Sequence, residues 1–283
     1  MTAIAATFVI NLDRDVKRLA HMQEQARAVG LTFERVPAVY LDQVPPAIRP
    51  YLFGTAGRPH GALLPAEIGC YASHLGILKR VVADNIDGPV LVLEDDVVLH
   101  ESFHAVLAEA LAHLPRNWDI LRLSNPPKRS YLPLADLGQG FQLVRYSKIP
   151  NSSAGYLISP AGAAKFLKDV PRTRAVDEDL RRPWHFGLNT FGLLPLICVP
   201  NTLESSINGF ASRPKRALGI GKWLRNPTES PLGGLARLQY NWTSLGLRAW
   251  ADCATRNVRD RFVRPAPLET PAPARVPPAR AQQ

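Results

Sequence analysis

Apolar and polar positions follow two periods along the first 212 residues, one typical of strands and one typical of helices. The run TFVINL is apolar and β-branched and predicts a first strand, after which residues 15–29 carry apolar side chains at helical spacing up to Gly30. TFERVPAV predicts a second strand, and Pro65 begins a predicted helix that runs to about Ala83. The continuous apolar run PVLVLE predicts a strand that is buried on both faces.

The alternation continues to about residue 200 and indicates the fold class. Helices are predicted around residues 103–114 and 160–170, and strands are predicted in DILRLS, FQLVRYS, AGYLIS and TFGLLPLICVP. Residues 43–64 are rich in Pro and Gly and predict a long loop. Alternating strands and helices favour an α/β fold, in which helices cover both faces of a mostly parallel central sheet.

Charge divides the chain at about residue 212. The net charge is +10, and residues 213–264 hold eleven Lys and Arg against three Asp and Glu, so the preceding part is nearly neutral. The sequence therefore predicts a main domain of residues 1–212, a basic helical appendage of residues 213–264 and a disordered Pro/Ala-rich tail of residues 265–283. The apolar stripe of the appendage fits either docking on an anionic membrane surface or packing against the main domain.

The cysteines and the apolar runs bear on where the protein works. Cys70, Cys198 and Cys253 are far apart and form no CxxC pattern, which argues against a disulfide framework and against a zinc site. No apolar run approaches the roughly 20 residues that cross a bilayer, and the first residues resemble a strand more than a signal peptide. We therefore expect a cytoplasmic protein, which touches the inner face of the cytoplasmic membrane peripherally if the appendage docks there.

Three consecutive carboxylates, Glu94, Asp95 and Asp96, follow the predicted strand PVLVLE. The carboxyl ends of parallel strands face the ligand crevice, and strand alternation would place Glu94 and Asp96 on one side with Asp95 on the other. Such a group suits a hard divalent cation such as Mg²⁺ or Mn²⁺. A solvated acidic turn or a helix N-cap is the alternative, but the apolar residues that resume at Val97 favour a position near the core.

Two further stretches carry candidate ligand-binding residues. Asn11, Arg14 and Arg18 lie just past the first predicted strand, where cations near a helix N-terminus suit a phosphate-bearing ligand. Ordinary surface arginines are the alternative there. Ser73 and His74 are embedded in an otherwise apolar helix, where a histidine is either a core residue or a ligand.

Five motifs occur in order along the chain: FVINLDRDVKRLAHMQEQARAVGLTFERVPAV, LLPAEIGCYASHLGILKRVV, VLVLEDDVVL, NSSAGYLISPAGAAKFL and PNTLESSI. Together they resemble glycosyltransferase family 25, whose bacterial members build lipooligosaccharide and whose animal branch glycosylates collagen hydroxylysine. The resemblance covers about residues 7–208 and depends on the order and spacing of the motifs, because each motif alone is weak.

The resemblance implies a GT-A-like catalytic domain and a UDP-sugar donor, commonly UDP-galactose. It implies inverting transfer to a saccharide or lipid-linked saccharide acceptor such as the lipooligosaccharide core. It matches the acidic triplet to the DxD-like motif of the family, so a divalent cation, Mn²⁺ or Mg²⁺, is expected on Asp96 with Glu94 assisting. The residues that it implies for donor binding are Asn11, Arg14, Arg18, His74, Glu94 and Asp95.

Inverting sugar transfer also needs a base that takes the proton of the acceptor hydroxyl. The stretch VDEDLRRPW supplies Asp177 as the first choice for this base and Asp179 as the second. An acid cluster that complements a helix dipole is the alternative. Trp184 and His185 are candidates for stacking on a sugar ring, and burial of Trp184 in the core is equally compatible with the sequence.

Two other functional classes stay open at this point. A metal-dependent phosphoryl-transfer enzyme could use the two acidic clusters as a two-metal site. A non-enzymatic nucleic-acid binder would explain the basic C-terminal part through phosphate contacts. The sequence contains no recognisable nucleic-acid reader motif, and the main domain is nearly neutral, so specific nucleic-acid binding is not expected.

Overall fold

The computed structural model describes residues 4–124, 130–201 and 231–262. Strands and helices are interspersed through this part of the chain. In chain order, the elements are β1 (Ala6–Asn11), α1 (Val16–Val29), β2 (Glu34–Pro37), α2 (Arg49–Leu52), α3 (Pro65–Ala83), β3 (Val90–Glu94), β4 (Val97–Leu99), α4 (Phe103–His113), β5 (Ile120–Arg122), β6 (Tyr131–Asp136), β7 (Gln142–Tyr146), β8 (Gly155–Ile158), α5 (Pro160–Phe166), α6 (Val176–Leu180), β9 (Thr190–Leu194), β10 (Cys198–Pro200), α7 (Pro231–Leu245) and α8 (Leu247–Phe262). Within the described residues, β5 to β8 follow one another without a helix between them.

Among the described residues, one eight-stranded sheet forms the centre, with the order β2-β1-β3-β8-β5-β9-β7-β6. The pairs β1/β2, β1/β3 and β5/β9 are parallel, and β8 runs antiparallel between β3 and β5. The remaining pairs, β7/β9 and β6/β7, are also antiparallel. The predicted α/β class is confirmed, and the sheet is mixed, with its parallel strands β2, β1 and β3 grouped at one side.

The strand β3 separates two layers of the core. Its first four residues are fully buried, as the continuous apolar run predicts. Because side chains alternate along a strand, Val92 packs in the cluster that includes α3 and α5, while Leu93 packs in the cluster that includes α1 and α4. Full burial of each such side chain stabilises the fold by about 1.5–3 kcal/mol. The end of β3 is thereby held rigidly at the point where the acidic triplet begins.

The predicted bounds are met closely in some elements and missed in others. The helix α3 begins at Pro65 and ends at Ala83 as predicted, whereas α5 ends at Phe166, four residues before the predicted end. The run TFGLLPLICVP forms two strands instead of one, since β9 belongs to the main sheet and β10 pairs with β4. The edge strand β6 was not predicted, because Pro133 lies within it.

The described part of the basic appendage consists of α7 and α8, which contact the β6–β7 side of the sheet. Asn241 donates a hydrogen bond to the Ser147 carbonyl oxygen at 3.1 Å, and the Ser130 amide donates to Asn257 at 2.8 Å. Leu245 is buried. Residues 231–262 thus contact the main domain, which is one of the two alternatives for the appendage, but most of the apolar stripe is exposed and not packed. Residues 213–230 and the Pro/Ala-rich tail lie outside the described residues.

No helix in the described ranges combines the length and the apolar character that crossing a membrane requires.

Candidate functional site

A cavity of about 290 Å³ opens at the carboxyl ends of β1 and β3, between α3 and the segment of residues 38–42. Its position follows from the topology, because adjacent parallel strands end at the same edge of a sheet. Every residue predicted to bind the donor or the metal lines this cavity: Asn11, Arg14, Arg18, His74, Glu94, Asp95 and Asp96. The structure brings these residues together, and their roles remain predictions.

Arg18 joins two of the three acids at the cavity. Its Nη1 lies 3.0 Å from Asp95 Oδ1, and its Nη2 lies 2.5 Å from Asp96 Oδ2. Asn11 Nδ2 donates a second hydrogen bond to Asp95, at 2.7 Å, and Arg35 Nε in turn donates to Asn11 Oδ1 at 2.9 Å. Asp95 is therefore held by two neighbours, and Arg18 is aligned by both carboxylates.

Strand alternation does not extend through the acidic triplet. The strand β3 ends at Glu94, and Asp95 and Asp96 form the turn that leads into β4. As a result Asp95 and Asp96 share Arg18, while Glu94 turns towards α3 and accepts a hydrogen bond from Ser153 at 2.5 Å. The expectation that Glu94 and Asp96 face one side and Asp95 the other is wrong for this reason.

The three acids differ in their electrostatics. Burial raises the pKa of Asp96 to about 6, and the negative charge of Glu94 acts in the same direction, against the opposing effect of Arg18. Burial also acts to raise the pKa of Glu94, but the interactions with His74 and Ser153 outweigh it and lower that pKa. At neutral pH Glu94 is thus ionised, and Asp96 carries a charge that its surroundings compensate only in part.

The donor set of this turn fits a hard divalent cation. Asp96 Oδ1 is buried and accepts no hydrogen bond from any described residue, although its other oxygen contacts Arg18. Carboxylate oxygens are the ligands that Mg²⁺ and Mn²⁺ prefer, and a buried unpaired carboxylate oxygen is costly without a cation. The residues that could hold such an ion are Asp96, through Oδ1, and the neighbouring Glu94.

The opposite wall of the cavity depends on close packing of α3. A Cβ atom at Gly69 would lie 2.3 Å from the Val39 carbonyl oxygen, so glycine is required there for the helix to approach residues 38–40. Ser73 Oγ accepts a hydrogen bond from the Val39 amide at 2.8 Å and donates one to the Gly69 carbonyl oxygen. His74 is fully buried on the same helix, and its Nδ1 lies 3.0 Å from the Tyr156 hydroxyl oxygen.

The two predicted bases have different surroundings, and neither lines the cavity itself. Asp177 is half-buried and accepts hydrogen bonds from the Asn151 side chain and from the Glu178 amide. Burial raises its pKa, and the negative charge of Glu94 adds to that effect. Asp179 is buried, accepts a hydrogen bond from the Tyr71 hydroxyl at 2.8 Å and lies 3.8 Å from Arg174 Nη1, so its contacts are structural.

The aromatic pair after α6 contacts the appendage. The Trp184 ring lies 5.9 Å from the Tyr240 ring of α7, and Trp184 is half-buried. Burial lowers the pKa of His185 to about 4, helped by Arg174 and Arg182, so this imidazole is neutral at pH 7. The contact with α7 favours a packing role for Trp184.

Gly69 and Arg35 were missed at the level of sequence, whereas Ser153 and Tyr156 lie in NSSAGY, a stretch whose small residues suit either close approach of a ligand or a tight turn. Gly69, Ser153, Tyr156 and Arg35 contribute only through contacts that join distant segments. The small residues of NSSAGY, which precede a predicted strand, are the local feature that indicates close approach of a ligand in this part of the chain. Two side chains of NSSAGY, Asn151 and Ser153, connect Asp177 with Glu94 across the site.

Comparison with known proteins identifies the family. The sequence profile of glycosyltransferase family 25 (LPS biosynthesis protein) matches residues 4–180, which include every residue of the predicted site. The chain belongs to glycosyltransferase family 25. The resemblance seen in the motifs is therefore confirmed, and the α/β architecture is GT-A-like.

Relatives of this family 25 chain include proteins of animals. A glycosyltransferase 25 family member of Aedes aegypti is 29% identical over 233 residues, which cover 80% of this chain and 36% of that protein. Procollagen galactosyltransferase 1-B of Xenopus laevis is 26% identical over 237 residues, covering 78% and 35%. A probable inactive glycosyltransferase 25 family member 3 of Rattus norvegicus is 28% identical over 255 residues, covering 83% and 43%. The chain spans less than half the length of each.

Proposed function

We propose that this family 25 chain transfers a hexose, galactose, from a UDP-sugar to a saccharide acceptor such as a lipooligosaccharide core, with inversion. The observation that carries the proposal is the cavity at the ends of β1 and β3, where Arg18 bridges Asp95 and Asp96, and where Asp96 Oδ1 accepts no hydrogen bond within the described part of the chain. Galactose is supported by the relatives named procollagen galactosyltransferases in Xenopus laevis and Danio rerio.

The cationic side of the cavity suits the diphosphate of the donor. Arg14 and Arg18 both line the cavity, and Arg18 is prealigned by Asp95. Both Nη atoms of Arg18 contact carboxylates, so Arg18 would act on the phosphates through its charge, while the Arg14 guanidinium could bind phosphate oxygens through two parallel hydrogen bonds. The attraction between these charges and the phosphates grows as the leaving UDP becomes more negative. Asp96 and Glu94 would hold the divalent cation, Mn²⁺ or Mg²⁺, which offsets the charge that develops on that leaving group.

The acceptor side is assigned to Asp177. Its raised pKa brings its basicity closer to what proton abstraction near neutral pH requires. Asn151 orients the carboxylate by donating to Oδ2, and this leaves the remaining acceptor capacity of the group for an acceptor hydroxyl. The loop that carries Asn151 also carries Ser153, which contacts Glu94, so the predicted base and the donor side are linked by one loop.

Thermal stability with UDP and Mn²⁺ tests the donor site. UDP at 100 times its Kd should stabilise the protein by about 2.7 kcal/mol, which corresponds to a rise in Tm of about 5–10 °C. Asp96→Ala should abolish this rise, while Glu109→Ala, a change of an exposed carboxylate on α4, should keep it. If UDP has no effect and phosphodiester hydrolysis or salt-dependent DNA binding is found instead, one of the two alternative classes replaces the transferase.

A donor screen that measures UDP release tests the sugar. UDP-galactose should be turned over faster than UDP-glucose, UDP-N-acetylglucosamine or UDP-glucuronate in the presence of a saccharide acceptor. Faster turnover of another donor would contradict galactose and keep the transferase. The screen also tests activity itself, which matters because the family includes relatives named as inactive.

The location that we propose is cytoplasmic, with the appendage in contact with an anionic membrane surface that presents a lipid-linked acceptor. Support comes from α7 and α8, whose outward faces expose apolar side chains next to arginines. The exposed apolar residues are Leu235, Leu238, Trp242, Leu247 and Val258. Apolar side chains flanked by basic residues are typical of helices that lie at the surface of anionic membranes.

A further inference from the structure

A second group of possible metal ligands lies in the same cavity. Cys70, His74 and Glu94 each offer one ligand atom, and these three atoms lie within 4.8 Å of one another. All three residues line the cavity. The set differs from the carboxylate turn in its chemistry, because it combines a sulfur, an imidazole nitrogen and a single carboxylate oxygen.

One ring nitrogen of His74, Nε2, is a candidate ligand atom that faces Glu94 Oε1 at 3.5 Å. The His74 side chain is fully buried, and Nε2 makes no hydrogen bond to any described residue. Nδ1 lies 3.0 Å from the Tyr156 hydroxyl, which fixes the ring. Histidines that bind metal commonly donate the N–H of their other ring nitrogen to such a partner. In the metal-free protein Nε2 interacts with the Glu94 carboxylate, and a bound ion would replace that contact: with Nδ1 donating to Tyr156, the lone pair of Nε2 would bind the metal.

One pair of ligand atoms has the separation that a tetrahedral ion requires, and Cys70 Sγ lies within 4.8 Å of both atoms. His74 Nε2 lies 3.5 Å from Glu94 Oε1, which is long for a hydrogen bond. Ligand atoms of a tetrahedral zinc ion are separated by about 3.3–3.6 Å, given its usual bond lengths to nitrogen, oxygen and sulfur. Cys70 and His74 are four residues apart on α3, so they share one face of the helix.

We propose that Cys70, His74 and Glu94 form a zinc site with three protein ligands, whose fourth position opens into the cavity. Sulfur and imidazole ligands select zinc over magnesium, which prefers oxygen ligands. Binding breaks the S–H bond of Cys70, forms a Zn–S bond and releases the proton to solvent, so no oxidant or reductant is needed. The sequence argued against a zinc site because it contains no CxxC pair; here the ligands come from a C-x₃-H pair and a distant strand end.

The zinc site and the carboxylate turn share Glu94 as a ligand, so the two ions would compete for this carboxylate. Zinc bound by Cys70 and His74 would withdraw Glu94 from a cation held at Asp96. The inference concerns a ligand set of its own, however, and does not depend on the proposed transfer of a sugar. Its test therefore reads metal binding directly.

Cobalt is the probe, because Co²⁺ replaces zinc and a cobalt–thiolate bond has a charge-transfer absorption. The metal-free chain should bind one Co²⁺ in excess Mg²⁺ and show this absorption, and zinc should remove it. Cys70→Ser should lose the absorption and weaken binding by about 100-fold or more. Cys253→Ser is the matched control and should behave as the unchanged protein, since Cys253 is buried in α8.

Asp96→Asn separates the two metal proposals. This variant should keep the cobalt–thiolate absorption while it loses the stabilisation by UDP and Mn²⁺. Alkylation of the unaltered protein covers the case in which Cys70→Ser does not fold: zinc should slow the modification of Cys70 by iodoacetamide about tenfold or more, because a metal-bound thiolate is protected. No thiolate absorption in the unaltered protein, absorption that survives Cys70→Ser, or an unchanged alkylation rate would each overturn the zinc site.

Discussion

At the scale of single residues, two of the three acids at the end of β3 differ in how well the fold stabilises their charged forms. Glu94 ionises readily because His74 and Ser153 compensate its burial, whereas Asp96 holds its proton up to a pKa of about 6. A buried carboxylate that remains under-compensated costs the apo protein stability and gains most from a bound cation. The two residues should therefore respond in opposite ways when their charges are removed.

Asp96→Asn should stabilise the metal-free protein at pH 7.5. A carboxyl group whose pKa is raised by folding binds its proton more tightly in the folded state, so its contribution to stability falls as the pH rises from about 4 to about 6. Removal of the charge should recover on the order of 1–3 kcal/mol above pH 6 and little at pH 4. Urea unfolding at both pH values measures this change.

Glu94→Gln is the matched comparison and should lower the stability at pH 7.5. Its folded pKa is depressed, so its charge stabilises the fold at pH values above the ordinary pKa of a glutamate and ceases to do so in acid. Equal effects of the two substitutions would contradict the difference in electrostatics between the neighbouring acids.

Asp177→Asn should leave UDP binding intact and reduce transfer by about 10²–10⁴-fold, the usual contribution of a general base. Asp179→Asn should instead lower the Tm, because it weakens the contacts of the buried carboxylate with Tyr71 and Arg174. Steady-state transfer rates and thermal unfolding of both variants measure this difference between a loss of activity and a loss of stability. A fully active Asp177→Asn variant with an inactive but stable Asp179→Asn variant would reverse the assignment.

At the scale of elements, α3 contributes to the site through its closeness to β1 and to the segment that follows β2. Its bounds follow from local signals, since Pro65 provides the first turn and Glu67 caps the backbone N–H of Leu64 at 2.8 Å. Its distance from residues 38–40 does not follow from local signals. That distance depends on Gly69, whose missing side chain admits the Val39 carbonyl oxygen.

Two glycines of α3 provide a test of this close approach. Gly69→Ala should destabilise the protein by about 1–3 kcal/mol, because the added methyl group would lie 2.3 Å from a backbone oxygen and push the helix away. Gly76→Ala on the same helix would meet only the Ile48 side chain at 3.7 Å. It should stabilise the protein by about 0.5–1 kcal/mol through helix propensity.

Chemical denaturation of both glycine variants, with UDP titration, measures the effects. Gly69→Ala should also weaken UDP binding, because Gly69 lines the cavity. Equal stability of the two variants would show that α3 can shift away from residues 38–40 without cost.

Local periodicity predicts the central elements well and the edges poorly. The bounds of α1, α3 and β3 agree with the pattern to within a residue, because burial on one or both faces dictates their composition. The edge strand β6 lacks that constraint and tolerates Pro133. The split between β9 and β10 depends on which partner strand each half meets, β7 or β4, and no periodicity encodes that choice.

At the scale of the whole molecule, the same limit applies to the site. The acidic triplet and the arginines after β1 could be predicted because both follow strands, and strand ends meet at one edge of a parallel group. The hydrogen bond from Ser153 to Glu94 joins residues 59 positions apart, and Tyr156 meets His74 across 82 positions. Such contacts depend on β8 running beside β3, which is a property of the complete sheet.

The helices α7 and α8 divide their surface between the sheet and the solvent. Tyr240 and Leu245 face inwards. Trp242 is 56% exposed, because residues two positions apart on a helix do not share a face. Deletion of the appendage would expose the surface that it covers on the sheet. A loss of membrane binding could then result from unfolding instead of from the loss of a docking surface. Point substitutions on the outer face avoid this problem, because they leave the packed face intact.

Leu238→Ser together with Trp242→Ser should therefore release the protein from anionic vesicles without lowering its Tm. Loss of two inserted apolar side chains removes more than one kcal/mol of transfer free energy at about 25 cal/mol per Å², so partitioning should fall by about tenfold or more. Val16→Ser, which removes an apolar side chain that is 67% exposed on α1, is the matched control and should keep binding. Co-sedimentation with vesicles of anionic or zwitterionic lipid, at low and high salt, measures the effect. Equal binding of the double variant and the control would contradict insertion of the apolar side chains and would leave the attraction between the arginines and the anionic lipid as the cause of binding, which high salt should then remove.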